Sequence, residues 1–506
     1  MRRSASRHRA KVALVCGSEK LSYAALDERV DALARGLRRS GINPGDRVAI
    51  LARNSHAFVI VRFAAARAGA VLVPINFMLR EDDVRYILDH SGARLLFVDR
   101  STRETGCAAA THDLTIYGIP GEHDDAPEGG PVRSWSSILV QGGPVDETAG
   151  ATDLLQIIYT SGTESRPKGA MLTHEAVLWE YQSCIADCDW TASTIMLHAL
   201  PLFHCAQLDC MMGPALSVGA TNIITAGPVV ETIVPLMARH RVTAFFAPPT
   251  VWIALLASAL IAEYDLSALA KGFYGASIMP VEVLHEIRRK LPGIRLWNLY
   301  GQTEIAPVAT VLFPEEHDDR PGSAGRPTLH VETRVVDDDM NDVPVGEVGE
   351  IVHRSPQLLT GYWRDEERTG QAFAGGWFHS GDLAVMDAEG YITIVDRKKD
   401  MIKTGGENVS SREVEEIIYT HPAVLEVAVV GLPHPQWIEA IAAYVVVRPD
   451  RVLQETELLA HCRQRLAGFK CPKQVVFIDR LPRSASGKIL KRELRAMAQA
   501  VAQASG

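Results

Sequence analysis

The sequence predicts an α/β protein. A large N-terminal domain of layered α/β subdomains carries a small β-barrel-like subdomain, and a small α+β C-terminal domain follows. Three observations carry this. A chain of 506 residues exceeds what one ordinary core encloses, so two or more domains are expected. Apolar runs of strand length alternate with helical periodicity, the pattern of parallel α/β layers. From Gly325 the pattern shifts to short strands and turns, and after Lys399 to mixed helix and strand.

The elements follow in order. Residues 22–40 have helical periodicity and stop at Gly41; the turn PGD (44–46) leads into a strand at 47–51. A helix over 56–68 feeds a buried strand at 69–74, and a helix over 82–90 precedes a strand at 93–98. Residues 119–149, rich in Gly, Pro and acid, read as a surface loop. LLQII (154–158) reads as a buried strand, and the same rhythm returns with a strand at 242–246, helical 251–271, a strand at 272–277 and a helix over 281–290. Strands at 332–336, 349–353 and 390–395 form the β-rich part. A helix at 411–420, strands at 424–430 and 441–447, a helix at 455–467 and a strand at 474–478 complete the chain. The boundary falls at 396/397, giving domains 1–396 and 397–506.

Composition excludes several classes. Hydrophobic residues make up 47% and charged residues 22% of the chain, as in globular proteins. A net charge of −9 argues against nucleic-acid binding by bulk charge. From Arg397 onward basic residues outnumber acidic ones, which suits approach to polyanions. The basic start lacks a long apolar run, so no secretory signal is read. The apolar stretch 251–262 falls short of the ~20 residues a transmembrane helix needs. A cytoplasmic protein without a transmembrane segment is expected, and a homodimer is an allowed assembly. The eight cysteines are then free thiols. Cys184 and Cys188 have a spacing zinc ligands can use, but the later Cys205 and Cys210 form no matching pair, so packing near a substrate pocket is the preferred reading.

YTSGTESRPKGA (159–170) is the most informative stretch. After a buried strand it brings hydroxyls, glycines and Lys168 together, the ingredients of a phosphate loop, without the Walker spacing. Three further segments follow in order: WNLYGQTE (297–304); WFHSGDL (377–383) with DRKKDMIKTGGEN (396–408); and PRSASGKI (482–489). Together these motifs resemble the adenylate-forming superfamily of acyl-CoA synthetases, luciferases and nonribosomal-peptide adenylation domains. The fatty-acyl-CoA synthetase branch is the most similar. The resemblance runs from LSYAAL (21–26) to Leu494.

It implies that a carboxylic acid reacts with ATP to give acyl-adenylate and pyrophosphate, after which a thiol displaces AMP. The acceptor would be coenzyme A; a carrier-protein thiol or an amine, including a diazotase-like use of nitrite, is the alternative. A nucleotide-binding protein without catalysis is the third reading. By the resemblance, Thr160, Ser161, Gly162, Thr163 and Lys168 hold the β- and γ-phosphates, and Glu304 with Thr160 holds Mg²⁺. Thr303 reaches the α-phosphate. Tyr300, within Tyr300-Gly301-Gln302, stacks on adenine beside Gly275, Ala276 and Ser277, and Asp382 and Arg397 take the ribose. Lys488 bridges carboxylate and α-phosphate. The small domain is implied to rotate about Lys399, exchanging Lys488 for Lys403, Gly405 and Gly406 during the CoA step.

His204 matches the residue beside the acyl carboxylate. Leu208, Met211, Met212, Leu216 and Val218 suit either an acyl pocket or a helix core. Asp209 reads as a helix-surface carboxylate. One departure stands out: Glu164-Ser165 replaces the family's usual Thr-Gly, placing a carboxylate near the triphosphate.

Overall fold

The computed structural model describes residues 1–506 except 112, 147–148, 161–165, 278, 405, 484–488 and 505–506. Two mixed sheets build a large N-terminal unit. The first orders its strands Arg326–Pro327, Val308–Leu312, Arg295–Gly301, Lys271–Gly275, Ala244–Phe246, Ile195–His198, Thr221–Ile224, Val12–Cys16 and Glu19–Ser22. The second orders Gly361–Tyr362, Lys168–Thr173, Leu154–Thr160, Val71–Ile75, Arg47–Leu51, Leu95–Val98, Thr115–Gly118 and Val132–Arg133. The central strands of both are parallel. Parallel strands are covered on both faces, which is why VLVPI (71–75) is buried at every position.

The helix His56–Ala68 touches strands of both sheets and is buried on nearly every side. This explains its continuous apolar sequence, which would be wrong for a surface helix. The Ser55 hydroxyl accepts from the Phe58 N–H at 3.2 Å, and Gly69 ends the helix at φ 77°. Phe273 stacks on Trp190 (centroids 5.6 Å) and packs against Trp297 (5.1 Å) under the first sheet.

Residues 332–397 contribute an antiparallel sheet of Glu332–Val336, Val348–Arg354, Phe378–Met386 and Ile392–Arg397. A small C-terminal unit pairs Glu407–Val409, Ile402–Thr404, Ile438–Val447 and Val424–His434, with Gln474–Phe477 alongside. Its helix Ser411–Tyr419 begins against the larger unit. Arg412 donates to the Ile394 and Gly322 carbonyls, and Asp396 accepts from the Ser411 N–H and hydroxyl, both at 2.7 Å. Among the described residues, no helix is long and apolar enough to cross a membrane.

Three expectations change. Residues 251–271 hold two helices, Pro249–Ala257 and Leu260–Glu263, because Ser258 is extended and its hydroxyl accepts from the Leu260 N–H. The 119–149 stretch is not simply surface loop. It carries the strand Val132–Arg133 and the helix Trp135–Ile138, and buries Ile119, Val132, Ile138 and Val145. Isolated apolar residues among Gly and Pro show no periodicity, so the sequence hid them. Asp209 is fully buried, not on a helix surface. It pairs with buried Arg62 at 3.1 Å and accepts from Gln156 Nε2 at 2.7 Å. Burial pushes its carboxyl above the usual range, against the pull of the Arg62 guanidinium.

Removing one member of a buried ion pair strands the other charge, at about 3–5 kcal/mol, whereas an apolar replacement of both can be neutral. Arg62→Met should therefore destabilise the protein by about that amount. Arg62→Met with Asp209→Leu should recover most of the loss, read from chemical-denaturation midpoints.

Candidate active site

The candidate residues gather where strands of the two sheets end side by side. Thr160 closes Leu154–Thr160, and Lys168 opens the adjacent strand, paired directly with Thr160. Gly275 and Gly301 end neighbouring strands of the first sheet, with Gly275 opposite Leu299. Ligands of open α/β sheets collect at such carboxyl ends. Ser161, Gly162, Thr163, Glu164, Ser165, Gly405 and Lys488 lie outside the described residues.

Lys168 Nζ lies 3.2 Å from Glu304 Oε1. The Tyr362 hydroxyl accepts from Lys168 Nζ at 2.6 Å and donates to Glu304 Oε1 at 2.9 Å. The ammonium also stands 4.2 Å from the Tyr362 ring centroid. Glu304 is nearly buried, on the short 3₁₀ turn Thr303–Ile305. Thr160 Oγ1 is buried and, among the described residues, has no hydrogen-bond partner. A carboxylate at Lys168 and an unsatisfied hydroxyl on the residue paired with Lys168 are oxygen donors of the kind a hard cation such as Mg²⁺ takes.

A second group lies one strand end away. Tyr300 donates to Asp382 Oδ2 at 2.8 Å, and Asp382 Oδ1 stands 3.4 Å from Arg397 Nε. Burial and the Asp382 charge push the Tyr300 phenol well above its ordinary range. Gly301 at φ 157° would bring a Cβ within 2.0 Å of the Pro307 carbonyl, so only glycine passes there. Gln302 is half-buried, and its Nε2 has no partner among the described residues. Ala276, exposed at φ 63°, and half-buried Ser277 follow Gly275 on the same rim.

The Thr303 hydroxyl accepts from the Cys205 thiol at 3.5 Å, which sets His204 and its helix against the Thr303 turn. His204 is half-buried and its Nδ1 accepts from the Ala206 N–H at 3.2 Å. Leu208, Met211, Met212 and Leu216 are buried in the packed core, and Val218 packs at its edge, which favours the helix-core reading. A π-helical turn spans Leu208–Met212. Cys184, Cys188 and Cys210 are buried in the same core. Burial, then the Arg397 charge, lowers the Lys399 pKa, against the pull of Asp400 and Asp382. Lys403 and Gly406 sit on the Ile402–Thr404/Glu407–Val409 hairpin, whose contacts run to Glu439 and Ile438.

A full-length likeness accompanies this geometry. Residues 1–363 match the AMP-binding enzyme family and residues 413–488 match the AMP-binding enzyme C-terminal domain. The chain belongs to the AMP-binding enzyme family. It is 39% identical to a feruloyl-CoA synthase of Amycolatopsis sp, covering 95% of this chain and 94% of that one. It is 35% identical to an indoleacetate–CoA ligase of Aromatoleum aromaticum, covering 96% and 94%. The fold superimposes on ATP-bound MatB from Rhodopseudomonas palustris with a TM-score of 0.89 at 30% identity, covering 97% and 96%.

Sequence reasoning missed three residues of this region. Tyr362 carries no motif of its own and sits on a two-residue edge strand. Glu180 and Gln357 lie behind the site. Glu180 accepts from Gln357 Nε2 at 2.6 Å and from the Val308 N–H at 3.3 Å, and Gln357 Nε2 also reaches the Val308 carbonyl at 3.1 Å. They hold the backbone that follows Glu304. Burial pushes the Glu180 carboxyl from 4.5 up to about 8.

A carboxyl raised in the folded state contributes stability that is fully present below its unfolded pKa and is lost as pH rises through the folded value. Glu180 should make stability decline between pH 4.5 and about 8. Glu180→Gln mimics the protonated acid. Melting temperatures measured across that range should fall less steeply for the variant, with activity at pH 7 retained.

Proposed function

We propose that this ligase activates an aromatic or arylalkanoic acid, with the residues above in the following roles. The enzyme is an ATP-dependent, AMP-forming acid–thiol ligase. A carboxylate oxygen attacks the α-phosphorus of ATP, the bond to pyrophosphate breaks, and the acyl-adenylate forms. The CoA thiol, losing its proton, then attacks the acyl carbon and AMP leaves. The observation that carries the site assignment is the convergence of Lys168, Glu304 and unsatisfied Thr160 one strand end from Tyr300, Asp382 and Arg397.

In this reading Lys168 and Thr160, with Ser161, Gly162 and Thr163, bind the β- and γ-phosphates. Glu304 and Thr160 would hold Mg²⁺, whose charge offsets that of the phosphates. Thr303 and Lys488 face the α-phosphate as negative charge builds there. Tyr300 and the Gly275–Ser277 rim receive adenine; Asp382 and Arg397 receive the ribose. His204 stands beside the acid. The relatives named above, at 39% and 35% identity, are named for feruloyl and indoleacetate acids, which favours an aromatic acid; a long-chain-fatty-acid–CoA ligase of Escherichia coli at 34% identity keeps a fatty acid as the second reading. Residues 1–396 and 397–506 are the two moving parts, with Lys399 as hinge and Lys403, Gly405 and Gly406 serving the thiol step. The setting is cytoplasmic.

Pyrophosphate release should be measured across hydroxycinnamic, indolyl, benzoic and graded aliphatic acids, with and without CoA, with mass spectrometry of the thioester. Strongest turnover on a long aliphatic acid would reject the aromatic assignment. AMP release indifferent to CoA would reject CoA as acceptor.

Removing one electrostatic contact to the transition state costs ~10²–10³ in rate. Lys488→Ala should lose that much adenylation yet still convert supplied acyl-adenylate to thioester. Lys399→Pro, which fixes φ at the hinge, should do the reverse. Single-turnover assays of each half-reaction check both.

A further inference from the structure

Lys168 and Glu304 pose a problem for the proposed reaction. At 3.2 Å each neutralises the other, yet each is needed elsewhere: the ammonium on phosphate, the carboxylate on a cation. Two opposite charges at this distance and partly screened from water attract strongly. They stand in direct contact, a pair that triphosphate must break. A phenol contacts both of them. Tyr362 Oη uses one lone pair for Lys168 Nζ at 2.6 Å and its proton for Glu304 Oε1 at 2.9 Å.

We propose that Tyr362 is a positioning residue that gives Lys168 and Glu304 a shared second partner, fixing where each head group stands when triphosphate parts them. The inference rests on the roles given to Lys168 and Glu304 above. Tyr362 is fitted for this by its own restraints. Its backbone N–H donates to Thr369 Oγ1 at 2.9 Å, and the next residue, Trp363, donates from its N–H to the Gly169 carbonyl at 2.8 Å. The Tyr362 strand is thereby fixed to the strand that carries Lys168, with Tyr362 opposite Ala170. The ring is buried, so the hydroxyl has little freedom to swing away. A hydroxyl both accepts and donates. When phosphate draws off the ammonium, the same O–H can keep one Glu304 oxygen in place and leave the other for the cation. Phenylalanine at 362 would keep the ring and its packing but would leave the ammonium and carboxylate without the partner that orients them.

The test compares ligands that differ in their phosphates. AMP and acyl-adenylate lack β- and γ-phosphates, so a residue acting through Lys168 and Glu304 has no influence on them. Calorimetric binding of AMP, and of a non-hydrolysable ATP analogue with EDTA or with Mg²⁺, is measured for wild type and Tyr362→Phe. A lost hydrogen bond to a charged group corresponds to roughly ten- to a hundredfold in affinity. The analogue should weaken by that factor, most with Mg²⁺ present. AMP affinity and thioester formation from supplied acyl-adenylate should hold within about twofold. Glu304→Gln combined with Tyr362→Phe should weaken the analogue by less than the product of the single effects. Unchanged analogue binding overturns the proposal, as does an equal loss for AMP, which marks general damage to the fold. If wild type itself binds the analogue no better than AMP and ignores Mg²⁺, the site assignment fails rather than the role of Tyr362.

Discussion

The structure turns on one juxtaposition: a lysine on one sheet held 3.2 Å from a glutamate on the other. Lys168 begins a strand of the second sheet, and Glu304 lies just beyond a strand of the first. No single sheet could place them together. The buried helix His56–Ala68 touches Val12–Cys16 of the first sheet and Val71–Ile75 of the second. The Thr303–Ile305 turn itself touches the strand Lys168–Thr173. The nucleotide groups on the rim follow from the same arrangement. Tyr300 rises from the strand that leads to Glu304, and Asp382 comes from the antiparallel sheet to accept its hydrogen bond.

Much of this was legible in the sequence. The strand Arg47–Leu51 and the helices His56–Ala68 and Val281–Lys290 lie where periodicity placed them. Each is long or strongly patterned, and each is flanked by Gly, Pro or a capping residue. The motifs, far apart in the chain, come together in the fold: Asp382 meets both Tyr300 and Arg397, and Lys168 meets Glu304. Where apolar residues stand singly, as in 119–149, no period exists to read. Where a hydroxyl ends a helix locally, as Ser258 does, composition alone suggests continuity.

The residues that escaped are partners rather than motif members. Tyr362 matters through contacts to positions 168 and 304, nearly 200 and 58 residues away in the chain. Glu180 and Gln357 support the turn after Glu304 across comparable separations. Asp209 read as surface because an acidic side chain is seldom buried. Its Arg62 partner, 147 residues earlier, is what makes the exception affordable. A single sequence offers no signal for such pairings; they appear only when the fold closes.

Arg412 gives the two units a particular kind of seam. It reaches across to the carbonyls of Gly322 and Ile394, groups every residue possesses. Bonds from a charged donor contribute about 1.5–3 kcal/mol each, and the Asp396 carboxylate adds the Ser411 N–H and hydroxyl to the same seam. It differs in kind from an apolar joint, which would charge the full cost of exposing hydrocarbon to open. The grip takes only the backbone at 322 and 394, while the Ile394 side chain packs against the antiparallel sheet's own core. Opening the seam exposes polar groups that water can solvate, and a ligand that favours another arrangement has only to outweigh those bonds.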